Sequence, residues 1–355
     1  MSAQPHAGGA FIRNLWYVAA WSHELTAEAP IGRTLIGEPV ALYRRPGGAV
    51  VALEDRCPHR FAPLSLGRIE GADLRCMYHG LLFGSDGVCK QMPARSAPPR
   101  ASVRTYPVVE RWSWIWVWMG EPARADAALI PEAFGLDDPR FSMRASVMDY
   151  DANWELLNDN LCDLSHLDFS HETTLGGGSG VKWAPALPRI TPREDGLAIE
   201  RWWENAPLAP GRPERRDTLN RYRYLLPGLF LMTTEWYPLG TAERSGFAAP
   251  KQEPLSLRVE QQAVTPVSEK RSRYFYATGV AAEIAKPALL EGIFAFINAA
   301  FAEDKLIIEG QQRIWDLTPP EARKISSPHD AAPLAFRRLV ARRLAEEQET
   351  QAESR

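Results

Sequence analysis

The chain has 355 residues, of which 45% are hydrophobic and 24% charged, a composition that excludes a disordered chain or a membrane-embedded one and leaves room for two domains. Lys plus Arg number 41 against 44 Asp plus Glu, a net charge of −3, so bulk electrostatics make no case for nucleic acid. Four cysteines are too few for a disulfide framework at this length, and with seven histidines they form a small set of ligand-capable residues whose placement carries information.

In chain order, Met1 to Ala10 shows no basic segment followed by an apolar run, so no secretory signal is expected and the cytoplasm is the expected compartment. From about Leu35 to Met119, short alternating apolar stretches separated by Gly, Pro and Asp predict an all-β domain. Trp112, Trp114, Trp116 and Trp118 fall on one face of a period-two segment, with Ile115 and Val117 on the other, so this strand is expected to be covered on both faces and its tryptophans to be core. Gly120-Glu121-Pro122 ends the strand and the texture turns helical, which places a domain boundary near residues 120 to 125 and predicts domains over 10–122 and 123–350.

The second half predicts a helix from Tyr150 to about Ser170 on the spacing of Trp154, Leu157, Leu161 and Leu164. Gly176-Gly177-Gly178-Ser179-Gly180 lacks the Gly-Lys-Ser/Thr of a phosphate loop and reads as a flexible loop, a linker or a lid. Alternation from Arg221 to Gly279 predicts an antiparallel sheet, and Phe294 to Trp315 a long helix. A tail helix from Pro333 to Glu347 puts Phe336, Leu339, Val340 and Leu344 on one side, with Arg337, Arg338, Arg342 and Arg343 as a solvated face. The most apolar helical window, Gly292 to Ala302, contains Asn298 and is too short to span a bilayer, so no membrane partner is expected.

Cys57-Pro58-His59 is followed, after sixteen residues, by Cys76-Met77-Tyr78-His79. Each arm pairs one thiolate with one imidazole. A zinc site more often groups its cysteines in one pair and its histidines in another. Mixed arms suit a 2Fe-2S cluster with two thiolates on one iron and two imidazoles on the other, the Rieske arrangement, and neutral imidazoles raise its reduction potential. A second pair, His166 and His171, lies in Asn158-Asp-Asn-Leu-Cys-Asp163-Leu-Ser-His166-Leu-Asp-Phe-Ser-His171. Five residues correspond to about 140° around an ideal helix, so the two rings converge on one metal only where the helix bends or ends near Ser170. Two imidazoles need a carboxylate to complete the facial triad of a non-haem Fe(II) centre. Phe294, Ile297, Phe301, Asp304, Ile308, Gln311 and Trp315 repeat at three-and-four spacing, which sets Asp304 in an otherwise apolar face where coordination would offset the cost of its burial. An ion pair with a nearby Lys or Arg is the alternative for Asp304 taken singly.

Cys57-Pro-His-Arg-Phe-Ala-Pro-Leu-Ser-Leu-Gly67 and Cys76-Met-Tyr-His-Gly80 resemble the cluster loops of Rieske non-haem iron oxygenases. They differ from respiratory Rieske proteins, whose extra disulfide cannot form with Ala62 and Tyr78 in its places. Asp163-x2-His166-x4-His171 resembles the histidine motif of the family, and Phe301-Ala-Glu-Asp304-Lys resembles the ligand segment of its demethylase branch. Phe11-Ile-Arg-Asn-Leu-Trp-Tyr-Val-Ala-Ala-Trp21, Tyr106-Pro-Val-Val-Glu-Arg111 and Ile115-Trp-Val-Trp-Met-Gly-Glu-Pro122 resemble the vanillate O-demethylase, dicamba O-demethylase and toluenesulfonate methyl-monooxygenase branch, whereas about Gly176 to Val280 departs from it.

The resemblance implies an α+β protein, an N-terminal Rieske domain followed by a helix-grip (START-like) catalytic domain. It implies a terminal oxygenase that hydroxylates or oxidatively demethylates an aromatic or other hydrophobic small molecule with O2 and NAD(P)H-derived electrons from a flavin or ferredoxin-type reductase. Cys57, His59, Cys76 and His79 would hold one 2Fe-2S cluster, and His166, His171 and Asp304 one mononuclear Fe(II). Asn160 would sit near that iron, and Asp163 would bridge to a cluster histidine of a neighbouring subunit, so a homotrimer is implied. Gln262, Tyr224 and Trp236 are candidate pocket residues. A Rieske ferredoxin carrier and a structural zinc protein are the alternatives.

Overall fold

In the computed structural model, residues 11–93, 95–96, 99–178, 181–208, 213–319 and 321–353 are described. Short strands separated by turn residues pair into three small sheets in the N-terminal third. One is ordered Trp16–Trp21, Trp114–Trp118, Val108–Arg111; the second Ile31–Leu35, Glu38–Arg44, Val50–Glu54, Thr105–Tyr106; the third Arg68–Glu70, Asp73–Arg75, Leu82–Phe83, Cys89–Gln91. Alternation makes Glu38–Arg44 a shared wall: Val40 and Leu42 enter one apolar cluster with Ile115 and Val117, while Ala41 and Tyr43 enter another with Cys57, Cys76 and Phe83. The two loop cysteines are thereby anchored in a packed core.

Trp114 to Trp118 is buried throughout, on both faces. Trp112 is different. It and Ser113 have φ of 57° and 59° and form the two-residue turn joining Val108–Arg111 to Trp114–Trp118, so Trp112 leaves the strand and is half-buried. Cys89 is a buried strand residue.

Contacts divide the chain into one unit of Phe11–Gly135 with Thr265–Glu269 and another of Leu136–Val264 with Lys270–Arg355. Residues 123–135 group with the N-terminal sheets and not with the second unit: the Trp16 indole donates to the Asp126 carbonyl at 2.8 Å and Arg111 to Ala127 at 3.0 Å.

The second unit is built on a seven-stranded sheet in the order Phe141–Tyr150, Arg271–Ala281, Ser256–Ser268, Leu229–Tyr237, Arg215–Leu225, Gly196–Pro207, Arg189–Pro192. Helix Trp154–Cys162 is capped by Asn153, whose side chain accepts from the Glu155 N–H at 2.8 Å. The long helix runs from Pro287 to Leu317 with Pro at its start, where no N–H partner is needed. Its buried row is Ala300, Asp304, Ile308 and Gln312, each four residues from the last; Gln311 is exposed, and Gln312 accepts from the Asn153 N–H at 2.8 Å. The glycine run is not simply loop. Leu175–Gly178 makes one helical turn, and a Cβ on Gly176 would fall 1.7 Å from the Leu167 carbonyl oxygen, so close packing requires glycine there; Ser179 and Gly180 lie outside the described residues.

The tail helix, Ala331–Glu353, buries Phe336, Leu339 and Val340. One of its arginines is not merely solvated. Arg337 grips the carboxylate of Asp159 with two hydrogen bonds, the Nε bond 2.8 Å long. Burial pushes the Asp159 carboxyl up and Arg337 opposes that shift, so removing the cation strands a carboxylate. Arg337→Ala is expected to cost about 1–3 kcal/mol in a denaturant titration, the range between exposed and fully buried pairs, whereas Arg338→Ala on the exposed side should leave the midpoint in place.

Candidate functional site

Two loops of the N-terminal unit carry the same backbone pattern. The Cys57 N–H donates to the Ala62 carbonyl at 2.9 Å while its own carbonyl accepts from Phe61 at 2.8 Å; the Cys76 N–H donates to Leu81 at 2.8 Å while its carbonyl accepts from Gly80 at 3.0 Å. The fourth residue after each cysteine closes its loop in the left-handed region, with φ of 57° at Phe61 and 74° at Gly80. Each cysteine is thus turned inward, 1% exposed, while His59 is exposed, His79 half-buried, and the two rings lie 4.4 Å apart by centroid.

Neither thiol is in a disulfide. Burial, then the neighbouring Cys76, pushes the Cys57 thiol up to about 11, overriding a backbone hydrogen bond that favours the thiolate. Two buried sulfurs facing two imidazoles near the surface fit a 2Fe-2S cluster that takes thiolate on its inner iron and neutral nitrogen on its outer one.

In the second unit, helix Trp154–Cys162 stops at Asp163, whose backbone is extended (φ −117°, ψ 108°) and whose carboxylate accepts from the Ser165 N–H and hydroxyl, both at 2.8 Å. A new start follows: Leu164–His166 as a 3-10 turn, then Leu167–Ser170 as a helical turn that ends at His171 (φ −121°, ψ 42°). The chain therefore breaks on both sides of this segment, and His171 swings off the helix toward His166. Ring centroids are 5.5 Å apart, and one ligand atom each from His166, His171 and Asp304 lies within 4.8 Å of the others.

The tautomers follow from the partners. His166 Nδ1 lies 2.6 Å from the Asp163 carbonyl and His171 Nδ1 lies 2.7 Å from Glu303 Oε2, both acceptors, so each Nδ1 carries a proton. Nε2 of both rings then presents a lone pair toward Asp304 Oδ1, at 3.5 Å and 3.1 Å. With both rings neutral, three acceptors face one another, an arrangement satisfied by a proton or a metal cation between them. Burial alone would raise the Asp304 carboxyl, but His166 and His171 outweigh it and hold it at about 2; burial opposes a charged His171, yet Asp304 and Glu303 raise it. This donor set fits a divalent iron with open positions.

Glu303 was not singled out from sequence. Besides His171 it accepts from the Thr174 hydroxyl at 2.6 Å, and these partners outweigh its partial burial and keep it below the usual carboxylate range. Its only sequence signal is adjacency to Asp304. Asn160 donates from Nδ2 to Asp304 Oδ1 at 3.1 Å and lies 3.3 Å from His166 Nε2.

Asn160, His166 and Asp304 form one end of a cavity of about 660 Å³ with walls that include Trp183, Trp203, Phe230, Phe296 and Phe301. Gln262 and Trp236 line it, and Gln262 accepts from the Tyr274 hydroxyl at 2.6 Å. Tyr224 does not. It shares the sheet face with Phe230 but lies behind that ring, packed on Phe336 and donating to Asn158 Oδ1 at 2.6 Å. Arg258 and Glu260, on the same strand face as Gln262, also reach the cavity. Their signal was a polar residue at every second position from Ser256 to Gln262.

Known proteins bear on this arrangement. The Rieske [2Fe-2S] domain model matches residues 15–107, and the model of the vanillate O-demethylase oxygenase C-terminal domain matches residues 150–346. The chain is 40% identical over 316 residues to the toluene-4-sulfonate monooxygenase system iron-sulfur subunit of Comamonas testosteroni, covering 87% of this chain and 90% of that one. It is 34% identical over 323 residues to the oxygenase component of dicamba O-demethylase from Stenotrophomonas maltophilia, covering 85% and 88%. The crystal structure of dicamba monooxygenase bound to dicamba superposes with a TM-score of 0.84 at 30% identity, covering 96% of this chain and 99% of that one. A Rieske cluster and a mononuclear non-haem iron site are the cofactors of this architecture. The chain belongs to the Rieske non-haem iron oxygenases, as the terminal oxygenase of a monooxygenase system in the vanillate, dicamba and toluenesulfonate branch.

Proposed function

We propose that Cys57, His59, Cys76 and His79 hold the 2Fe-2S cluster and that His166, His171 and Asp304 hold the mononuclear iron, at which an aromatic substrate is hydroxylated or demethylated. The convergence of two tautomerically fixed imidazoles and one buried carboxylate at the end of an aromatic-walled cavity carries this reading. When bound, the cluster delivers electrons and the iron activates O2. The chain's own residues do the rest. The Asp163 carbonyl and the Glu303 carboxylate orient the two rings, Asn160 holds the Asp304 oxygen, and the aromatic walls exclude water and place the reacting carbon near the iron end.

The cluster loops present an exposed rim of Phe61, Leu66, Met77 and Tyr78 with His59, a surface suited to a partner that brings electrons. We assign that role to a flavin or ferredoxin-type reductase. The Asp163 carboxylate would carry electrons onward from the cluster of an adjoining subunit in a homotrimer, working in the reducing cytoplasm. No helix among the described residues is long and apolar enough to cross a membrane.

Four measurements test these roles. With a surrogate reductase and a panel of methoxylated, N-methylated and alkyl aromatics, oxygen uptake should accompany formaldehyde release or hydroxylation; a fully loaded protein that takes up no oxygen with any of them would be a carrier. Iron analysis should give about three irons per chain, falling to about two in His166→Ala with the cluster spectrum intact. Asp163→Asn should keep both metals and lose turnover, and normal turnover would refute the bridge. Glu303→Ala should weaken mononuclear iron binding about tenfold to a hundredfold, with Glu303→Gln partly restoring it and neither altering the cluster spectrum.

A further inference from the structure

Asp168 stands two residues after His166 and three before His171, on the helical turn Leu167–Ser170 that the chain breaks create. It is not among the residues gathered at the candidate metal centre, nor does it line the cavity. One of its oxygens, Oδ2, accepts from the Trp183 N–H and the Ala184 N–H, both at 2.9 Å. The other, Oδ1, is buried and has no hydrogen-bond partner among the described residues. Leaving one carboxylate oxygen unsatisfied is costly, so the placement of this group is explained by what Oδ2 holds.

The segment that Asp168 grips hangs between two supports. Besides the carboxylate, strand Gly196–Pro207 holds it: the Trp203 indole donates to the Lys182 carbonyl at 2.9 Å and Arg201 Nε to the Ala186 carbonyl at 2.7 Å. Arg201 and Trp203 lie two apart on that strand, and each begins a row of opposed residues across the sheet, the second being Trp203–Thr218–Trp236–Ser256 in the cavity wall. Residues 182–186 thus bridge the turn between His166 and His171 to the sheet. What the bridge presents to the cavity is Trp183. Its ring lines the space together with Leu167 of the same turn, meets Trp203 edge-on at 4.6 Å, and has the Arg201 guanidinium 5.5 Å from its centre. The indole Nε1 is buried and makes no hydrogen bond among the described residues, so packing and the backbone fix where the ring stands. Asp168 supplies the backbone hold on the side of the metal-bearing turn.

We infer that Asp168 is a positioning residue for the substrate ring: it ties the Trp183 wall to the turn between the two iron ligands, so that the span from wall to iron is set by the length of one side chain. An aromatic ring lying against Trp183 then presents a defined carbon at the iron end. Asp168 acts on selectivity through Trp183, without touching substrate or metal. The inference rests on the ligand assignment of His166 and His171 and on the oxygenase reading only for which carbon reacts. Ring recognition at Trp183 is independent of turnover.

The test uses the metal-loaded protein and two ligands of equal charge, 4-methoxybenzoate and its ring-saturated counterpart 4-methoxycyclohexanecarboxylate, titrated by calorimetry without oxygen. The wild type should prefer the aromatic ligand by about threefold or more. Asp168→Ala should weaken the aromatic ligand about threefold to tenfold, the worth of an aromatic packing contact, and the saturated one less than about twofold. Asp168→Asn, which keeps an oxygen acceptor for the two N–H groups, should restore most of the preference. Asp168→Ala made in a Trp183→Ala background should change the aromatic affinity less than about twofold, because its effect runs through that ring. Asp168→Glu keeps the charge but lengthens the tie by one methylene. It should lower the aromatic preference as alanine does, which covers the case of an alanine variant that does not fold, and should change the ratio of products formed at the 3- and 4-methoxyl groups of 3,4-dimethoxybenzoate while iron content stays the same. No aromatic preference in the wild type, equal weakening of both ligands by Asp168→Ala or Asp168→Glu, or full additivity with Trp183→Ala would overturn the positioning role. An aromatic preference that depends on Asp168 and Trp183, in a protein that consumes no oxygen with any ligand, would instead keep that role and sink the oxygenase reading.

Discussion

The second unit depends on a single buried carboxylate. Asp304 lies in a row of Ala300, Ile308 and Gln312 on a 31-residue helix, where an unpaired charge is costly. Its oxygen is met by two imidazole nitrogens and an amide, and none of these is free to turn away, because each ring is held at its other nitrogen and Asn160 projects from a helix capped at Asn153. Chemistry that needs a divalent cation with vacant positions thus coincides with the physical requirement that a buried acid be compensated. The same constraint explains the chain breaks around Asp163 and Ser170. A continuous helix would aim His166 and His171 about 140° apart, and only by interrupting it on both sides can the backbone bring them to one point.

Asp163 serves this break with its whole residue. Its carboxylate caps the turn after it, through Ser165, and its carbonyl fixes the tautomer of His166. A substitution that leaves backbone and charge-neutral shape alone therefore separates an electron-transfer role for the carboxylate from the structural role of the carbonyl. The cluster loops solve a similar problem by repetition. Two hairpin-like turns with the same hydrogen-bond pattern set both cysteines inward, and the different offset of histidine in each, two residues after Cys57 and three after Cys76, still brings the rings together.

Much of this was legible in the sequence because ligand motifs are local. Cys57, His59, Cys76, His79, His166 and His171 each announce themselves by spacing within a short segment, and Asp304 by its place in an apolar repeat. What escaped depended on neighbours distant in sequence. Gln312, not Gln311, is buried because the helix packs along its four-residue row toward Asn153. Trp112 fits the alternation that placed it in the strand, yet the hairpin needed two left-handed residues at that point. Tyr224 faces the correct side of the sheet, but Phe230 stands between it and the cavity. Arg337 reads as surface charge until Asp159 is found beneath it.

The cavity shows most clearly why substrate choice is harder to read than metal chemistry. Its rows join residues far apart in the chain, such as Arg201, Asn220, Thr234 and Arg258, which share a face only because four strands are paired in one register. A one-residue slip in any strand would send its members to the opposite face. Substitutions on these strands would change the cavity lining, while Asp304, His166 and His171 are carried by helices and a helix break. The candidate metal ligands thus sit on one layer of the fold and the sheet wall of the cavity on another, so the lining can vary without moving the ligands.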